Sequence, residues 1–399
     1  MNEILLSINR MTDPDLMEQF IRPMLDKPLI PTEIKKDPPV FYWPEVNDYT
    51  MSCGIAQTPG GRIWLEWFAG GDDERAVLLM AKSDDGGETF SKPQFIINPG
   101  HVDCGIHMSA VCGNLWTAPD GRLFVFFYVS LSFYDGRAGV WFSVCDNPDS
   151  DDPVWSTPQR FGNGAALNKP TVLSDGTWLL GVSLWRRELI KYSMGAVAER
   201  LYPELDDERM ANVYESKDQG RTWTKISGVK SISPIHDEHM IVERSDGSLL
   251  MYLRDNCGMT QCESFDKGHS WTKPVYTPFG AASARFSFQR LKSGNLLLVR
   301  NNDPFIPNIR SHMTAFLSDD DGKTWKGGLV LDERNGVSYP DGYQTDDGRI
   351  YIQYDRLRHQ GEILLAVFRE EDILAGKIVS PDSRLKHPIM QTWTAAHQK

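Results

Sequence analysis

The chain has 399 residues, 41% apolar and 24% charged, and its 42 Lys and Arg against 54 Asp and Glu leave a formal net charge of −12. That balance argues against a nucleic-acid partner, which needs a basic face, although a local arginine cluster can still hold an anionic small ligand. No apolar run approaches the roughly 20 residues of a membrane-spanning helix, and Met1 to Asp15 lacks a basic stretch followed by an apolar core, so no membrane partner and a cytoplasmic location are expected. Cys53, Cys104, Cys112, Cys145, Cys257 and Cys262 show no zinc spacing and are expected as reduced thiols. Neither a metal nor any other cofactor is expected.

In chain order, Asp13-Pro14-Asp15 opens a predicted helix through Phe20, with Pro at a tolerated first-turn position. Prolines 23, 28, 31, 38 and 39 then predict an extended arm, so residues 1–46 are expected to pack on the main body of the chain. From residue 47 onward the chain is punctuated by six short turns centred on Gly61, Gly121, Gly176, Gly247, Gly294 and Gly348, separated by 60, 55, 71, 47 and 54 residues. Each precedes an apolar run such as Leu123-Phe124-Val125-Phe126, which is a hairpin signal. A four-stranded blade needs roughly 40–50 residues, so the spacing predicts an all-β fold: a six-bladed β-propeller over 47–399. The longest interval holds a partly helical insertion, Trp185 to Val213, read as a lid, an oligomer contact or a surface excursion. Glu370 to Gly376 reads as one helical turn stopped by glycine.

A second pattern agrees. Ser-x-Asp-x-Gly-x-Thr/Ser-Trp/Phe occurs four times: Ser83 to Phe90, Ser216 to Trp223, Ser264 to Trp271 and Ser318 to Trp325. The Asp can bond its own turn, the Gly takes a positive φ, and the aromatic plugs a core. Ser143 to Trp155, with Asp146, looks like a degenerate copy in the second blade. These turns resemble the Asp boxes of the sialidase-like propellers, and their aspartates are read as structural.

Chemistry on a propeller is expected at its axis. Glu238, in His236-Asp237-Glu238-His239, opens the fourth blade, and Arg254 lies 16 residues on, on the neighbouring strand. Arg310 is expected on the strand leading to the last Asp box, and Tyr339 opens the sixth blade. This set resembles the exo-α-sialidase layout over roughly residues 45 to 375. The resemblance implies Tyr339 as nucleophile, Glu238 as its base, and Arg254 and Arg310 as grips for a substrate carboxylate. It also implies an acid/base aspartate in Gly70-Gly71-Asp72-Asp73-Glu74. A tyrosine suits an anionic sugar because it is neutral until its proton leaves, so it avoids the like-charge repulsion a carboxylate nucleophile would meet; sialidases are the known tyrosine exception among glycosidases. Arginine suits a carboxylate through its planar fork.

One position departs from the pattern. Met51 stands where the resemblance implies a first arginine, leaving Arg75, Arg62 or Arg285 to compensate, or a substrate other than an ordinary sialoside. His101, Asp103 and His107 precede the second blade; with His236 and His239 they are read as hydroxyl partners, an acid/base, metal ligands or plain structure. Lys169, in Asn168-Lys169-Pro170, is read as facing the axis to hold an anionic group, or else as paired with an acidic neighbour. Asn114 has a similar inner-strand position. The expected function is hydrolysis of a terminal acidic sugar from a carbohydrate substrate. The alternatives are a glycosidase for a uronic-acid-linked or other deoxy sugar, or a non-catalytic carbohydrate-binding propeller.

Overall fold

A computed structural model describes residues 12–102, 105–306 and 308–397. Six antiparallel sheets follow one another along the chain, each a meander of four strands running outward from the axis. The sheets form the six blades of a β-propeller. Their inner strands are Met51–Gln57, Met108–Thr117, Thr171–Val172, Pro234–Glu243, Ser287–Arg290 and Val337–Gln344. Blade 1 carries a fifth, outermost strand from the N-terminal arm, where Ile34–Lys36 pairs antiparallel with Phe95–Ile97. The arm begins with the helix Pro14–Ile21, capped by Asp13, whose carboxylate accepts from the backbone N–H of Asp15 and Leu16.

Each of the four Asp boxes joins the third strand of its blade to the fourth. In the box at Asp320, the Ser318 hydroxyl donates to the carboxylate (2.8 Å) and accepts from the Gly322 N–H (2.8 Å). The same carboxylate accepts from the Thr324 N–H (2.8 Å) and hydroxyl (2.5 Å). The residue before the glycine is left-handed as well, at Gln219, Lys267 and Asp321. The sequence pattern assigns that conformation to the glycine alone. Trp223 then plugs the seam between blades 2 and 3, against Trp116, Phe124, Phe126 and Trp178.

Among the described residues, no strand is exchanged between the chain ends to close the ring. Closure runs through the inner strands of blades 1 and 6. Ser52 Oγ donates to the Tyr339 carbonyl (3.0 Å), the Ile55 N–H donates to Asp341 (3.0 Å), and the Thr50 N–H donates to the Arg358 carbonyl (3.0 Å). Gly54 allows the closest approach around the axis: a Cβ there would lie 2.4 Å from the Leu115 nitrogen of the next inner strand.

The insertion after blade 3's second strand carries the helix Arg187–Met194 and two 3-10 segments. It packs against the N-terminal helix, where Arg200 bonds Asp15 and Glu18. Glu370–Ala375 is helical and ends at a left-handed Gly376, as its sequence predicts.

Candidate active site

Four inner strands break register at one end of the axis. The shifts fall between Ser52 and Gly54, Val111 and Asn114, Asp237 and Met240, and Ser338 and Asp341. A bulge bends its strand and re-aims a side chain. Non-glycine residues are held left-handed at three of these sites: Cys112 (φ 54°), Asp237 (61°) with Glu238 (25°), and Tyr339 (55°). Such conformations cost on the order of 1–3 kcal/mol each and persist only where the surroundings over-determine them. Here they turn Cys112, Glu238 and Tyr339 into one cavity of about 350 Å³.

The Tyr339 hydroxyl donates to Glu238 Oε1 at 2.7 Å. Arg254 Nη1 donates to the same carboxylate oxygen at 2.8 Å and to the tyrosine oxygen at 3.2 Å. Burial works to raise the Glu238 carboxyl, but the Arg254 guanidinium, His236 and the tyrosine hydrogen bond together hold it at about 2. Burial, and then the Glu238 charge, push Tyr339 well above the ordinary phenol range. The resting pair is thus an ionised carboxylate and a neutral phenol. Burial, and then Arg254, bring His236 down to about 4, so its imidazole is neutral at pH 7.

Three guanidinium groups line the cavity with this pair. Arg310 stands 5.7 Å from the Tyr339 ring centroid and donates to Ser338 Oγ and the Ser283 carbonyl. Its charge meets no carboxylate among the described residues, and burial pulls its pKa down. Arg358 lies 4.6 Å over the same ring. It comes from the turn after the second strand of blade 6, held 3.5 Å from both Asp355 and Asp72 and 3.4 Å from Ser338 Oγ. Met51 lines the same cavity. A guanidinium thus enters the cavity that Met51 borders from across the ring-closing seam, from a residue the sequence reading did not single out. The available signal was Asp355-Arg356-Leu357-Arg358, acidic and basic residues at the end of an inward-running strand.

Of the residues singled out from sequence, Tyr339, Glu238, Arg254, Arg310, Asp72 and His236 line this cavity together. Arg310 sits in the loop before its strand, Met313–Ser318, rather than on it. The others lie elsewhere. Asp73 turns away and pairs with Arg75 (2.5 Å), which also removes Arg75 as the compensating arginine. Arg62 pairs with Asp84 (2.6 Å) away from the cavity. Arg285 is 1% exposed and bonds Asn168, the carbonyls of Cys53 and Leu167, and Asp341, so it is an axial strut. Asn114 donates to the Leu167 carbonyl and faces Asp341, also as a strut. Lys169 takes its acidic-neighbour reading: it pairs with Asp341 and borders cavities toward the other ends of the inner strands. His101 and His107 bridge each other outside the cavity, their rings 6.4 Å apart; Asp103 lies outside the described residues. His239 is buried against the Asn212 carbonyl. Among the described residues no cluster of His, Cys, Asp and Glu is suited to a metal ion.

The comparisons agree with this geometry at the level of fold. Residues 61–352 match the family described as BNR repeat-like domain. No curated protein matches the sequence. Among solved structures, the Hadza microbial sialidase Hz136 superposes with a TM-score of 0.63 at 17% identity, over 82% of this chain and 68% of that one. The intramolecular trans-sialidase from Ruminococcus gnavus gives 0.61 at 15% identity, over 86% and 98%. A protein of unknown function from Dyadobacter fermentans gives 0.59 at 14%, over 85% and 98%.

Proposed function

The chain belongs to the BNR repeat-like family, and from that fold and the contents of its cavity we propose that it is an exo-glycosidase releasing a terminal acidic sugar of the sialic acid type. The observation that carries this reading is a Tyr339–Glu238–Arg254 hydrogen-bonded set in one cavity with Arg310, a half-buried cation without a carboxylate partner among the described residues. A buried unpaired charge is costly. A substrate carboxylate bound by Arg310 and Arg358 supplies the missing partner, and the fork of each guanidinium fixes its orientation.

The chemistry follows from the charges. Tyr339 Oη bonds to the anomeric carbon while its proton passes to Glu238. The glycosidic C–O bond breaks, and the leaving oxygen takes a proton from Asp72. Water then attacks the same carbon, giving its proton to Asp72, as the tyrosyl–carbon bond breaks and Glu238 returns its proton to Tyr339. Two displacements retain the anomeric configuration. Because Glu238 rests ionised and Tyr339 rests neutral, the proton moves only as the new bond forms, so no free phenolate is required. Arg254, bonded to both oxygens, stabilises charge on either side of the transfer.

The test is a panel of aryl glycosides carrying a sialic acid, a glucuronic acid or glucose. Phenol release from the acidic members, lost with Arg310→Ala, is expected. Release from glucose alone would reject the acidic substrate. Glycan binding with no release from any member would favour a non-catalytic propeller.

A further inference from the structure

The six groups assigned to catalysis and to the carboxylate (Asp72, Glu238, Arg254, Arg310, Tyr339 and Arg358) hold most of the polar character of the cavity. Apart from Tyr192 and His236, the rest of its wall is apolar and includes Met51, Phe68, Val111, Cys112, Leu167 and Trp185. The Trp185 indole N–H is already committed to the His236 carbonyl at 3.2 Å. The Cys112 thiol, a weak donor at best, is pushed up by burial and stays protonated. Two polar side chains remain among the described lining residues. One is Tyr192 on the insertion helix, 66% exposed at the rim. The other is His236, whose imidazole is neutral and whose buried Nδ1 has no hydrogen-bond partner.

A sugar of the sialic acid type carries hydroxyls around its ring and along its side chain. Each one buried against an apolar wall without a partner loses its water for nothing in return. An arginine at Met51 would have put a charged fork on this wall. With that charge delivered from Arg358 instead, Met51 itself adds only carbon and sulfur to the lining.

We infer that the sugar this site takes is acidic at one end and depleted of free hydroxyls elsewhere, with methyl-bearing groups in their place through O-acylation or deoxygenation, and that His236 holds the one polar substituent left. This rests on the acidic-sugar reading of the same cavity. The apolar wall solvates methyl groups, the guanidinium groups bind the carboxylate, and a neutral imidazole can donate or accept, so it serves a lone hydroxyl or an acyl carbonyl equally.

Hydrolysis of three aryl sialosides tests this: the unmodified compound, one O-acetylated on its side chain, and one deoxygenated there. The expected result is a kcat/KM roughly ten- to a hundred-fold above the parent for at least one modified compound. Preference for the acetyl compound identifies acylation, and preference for the deoxy compound identifies deoxygenation. Equal rates, or a preference for the parent, overturn the inference while leaving the glycosidase reading intact. Release from none of the three, with the fold intact by thermal melt, instead removes the acidic-sugar reading on which it rests. Val111→Thr and Cys112→Ser each place a hydroxyl on the wall with little change of volume. Either is expected to move the ratio several-fold toward the parent sialoside, and an unmoved ratio in a variant that melts like the wild type overturns the inference. Should Val111→Thr fail to fold, Cys112→Ser carries this arm alone.

Discussion

The Asp-box turns and the bulges that form the cavity both hold non-glycine residues at positive φ, and they differ in what surrounds that strain. In each box the left-handed residue is followed by a left-handed glycine, and serine and threonine hydroxyls and backbone N–H groups saturate the carboxylate. In the bulges, Glu238 Oε2, His236 Nδ1 and Asp237 Oδ1 are buried without partners. Local sequence and turn geometry agree in the boxes, where each aspartate is satisfied within its own turn, whereas the bulges leave buried polar atoms without partners beside the cavity. On the proposed reading, stability resides in the first region and binding in the second, so substitutions in the two should separate cleanly.

The largest separation is expected at Tyr339. Tyr339→Phe keeps the ring between Arg310 and Arg358 and leaves Arg254 bonded to Glu238. Turnover of an acidic aryl glycoside should fall at least about a thousand-fold, with the thermal melt unmoved. A melt lowered along with activity would mean that the hydroxyl belongs to the structural class instead.

Arg358→Ala comes next. Losing a charge-assisted contact to the substrate carboxylate should lower kcat/KM by roughly a hundred-fold. Arg358→Lys should restore little of it, because a point charge cannot reproduce the fork that reaches Asp355, Asp72 and Ser338 together. The comparison sharpens if Met51→Arg partly rescues Arg358→Ala, since both side chains border the same space. Failure of both Arg358 variants to alter the kinetics would remove Arg358 from the site.

The two regions also differ in how far the sequence discloses them. The boxes were legible except for the left-handed residue before each glycine: four copies of an eight-position pattern encode a contact set that closes within those eight residues. Blade number followed from the hairpin spacing. Within the cavity, Glu238, Arg254, Arg310 and Tyr339 were legible because each stands at a place the exo-α-sialidase resemblance marks: Glu238 and Tyr339 on inner strands, Arg254 at the end of a second strand and Arg310 just before a third. Arg358 was not, because it reaches the cavity only through the seam where Thr50 bonds its carbonyl, across some 300 residues of chain. Lys169, Asn114 and Arg285 were misplaced for a related reason. An inner-strand residue faces the axis, but the axis has two ends and a packed middle, and the register breaks at Val111/Asn114 and Ser338/Asp341 decide which of these a side chain meets. Asp341 collects all three of those side chains.

A third effect concerns stability against pH. Burial, then the nearby Asp255, raise the Asp237 carboxyl from 3.8 to about 7, with Glu238 adding to the shift and Arg186 and Arg254 opposing it. The folded chain therefore keeps a proton that the unfolded chain releases near pH 4. That contribution is fully present below pH 4 and is lost as pH rises through 7, by up to about 4 kcal/mol. Chemical denaturation between pH 4 and 8 should show this decline, and Asp237→Asn should flatten it and raise stability above pH 7. An unchanged slope in the variant would place the titration on another group.

The smallest effect is expected in the boxes. Hydrogen bonds from Thr324 and Ser318 outweigh partial burial and hold Asp320 at about 2. Its contribution is present above the ordinary carboxylate range and disappears as pH falls from about 4 toward 2. Asp320→Ala removes an acceptor of three bonds, from Ser318 Oγ, Thr324 N and Thr324 Oγ1. The side chain is partly exposed, so water replaces part of the loss, and a cost of about 1–2 kcal/mol is expected. For a chain of this size that lowers Tm by only a few degrees (~2–4 °C), with kcat/KM unchanged because Asp320 borders no part of the cavity. Asp218 and Asp266 make the same contacts in blades 3 and 4, so their alanine variants should match it. A box variant that altered turnover without altering the melt would show that the turns act on the cavity through the blades, and the division between a satisfied periphery and an unsatisfied axis would fail.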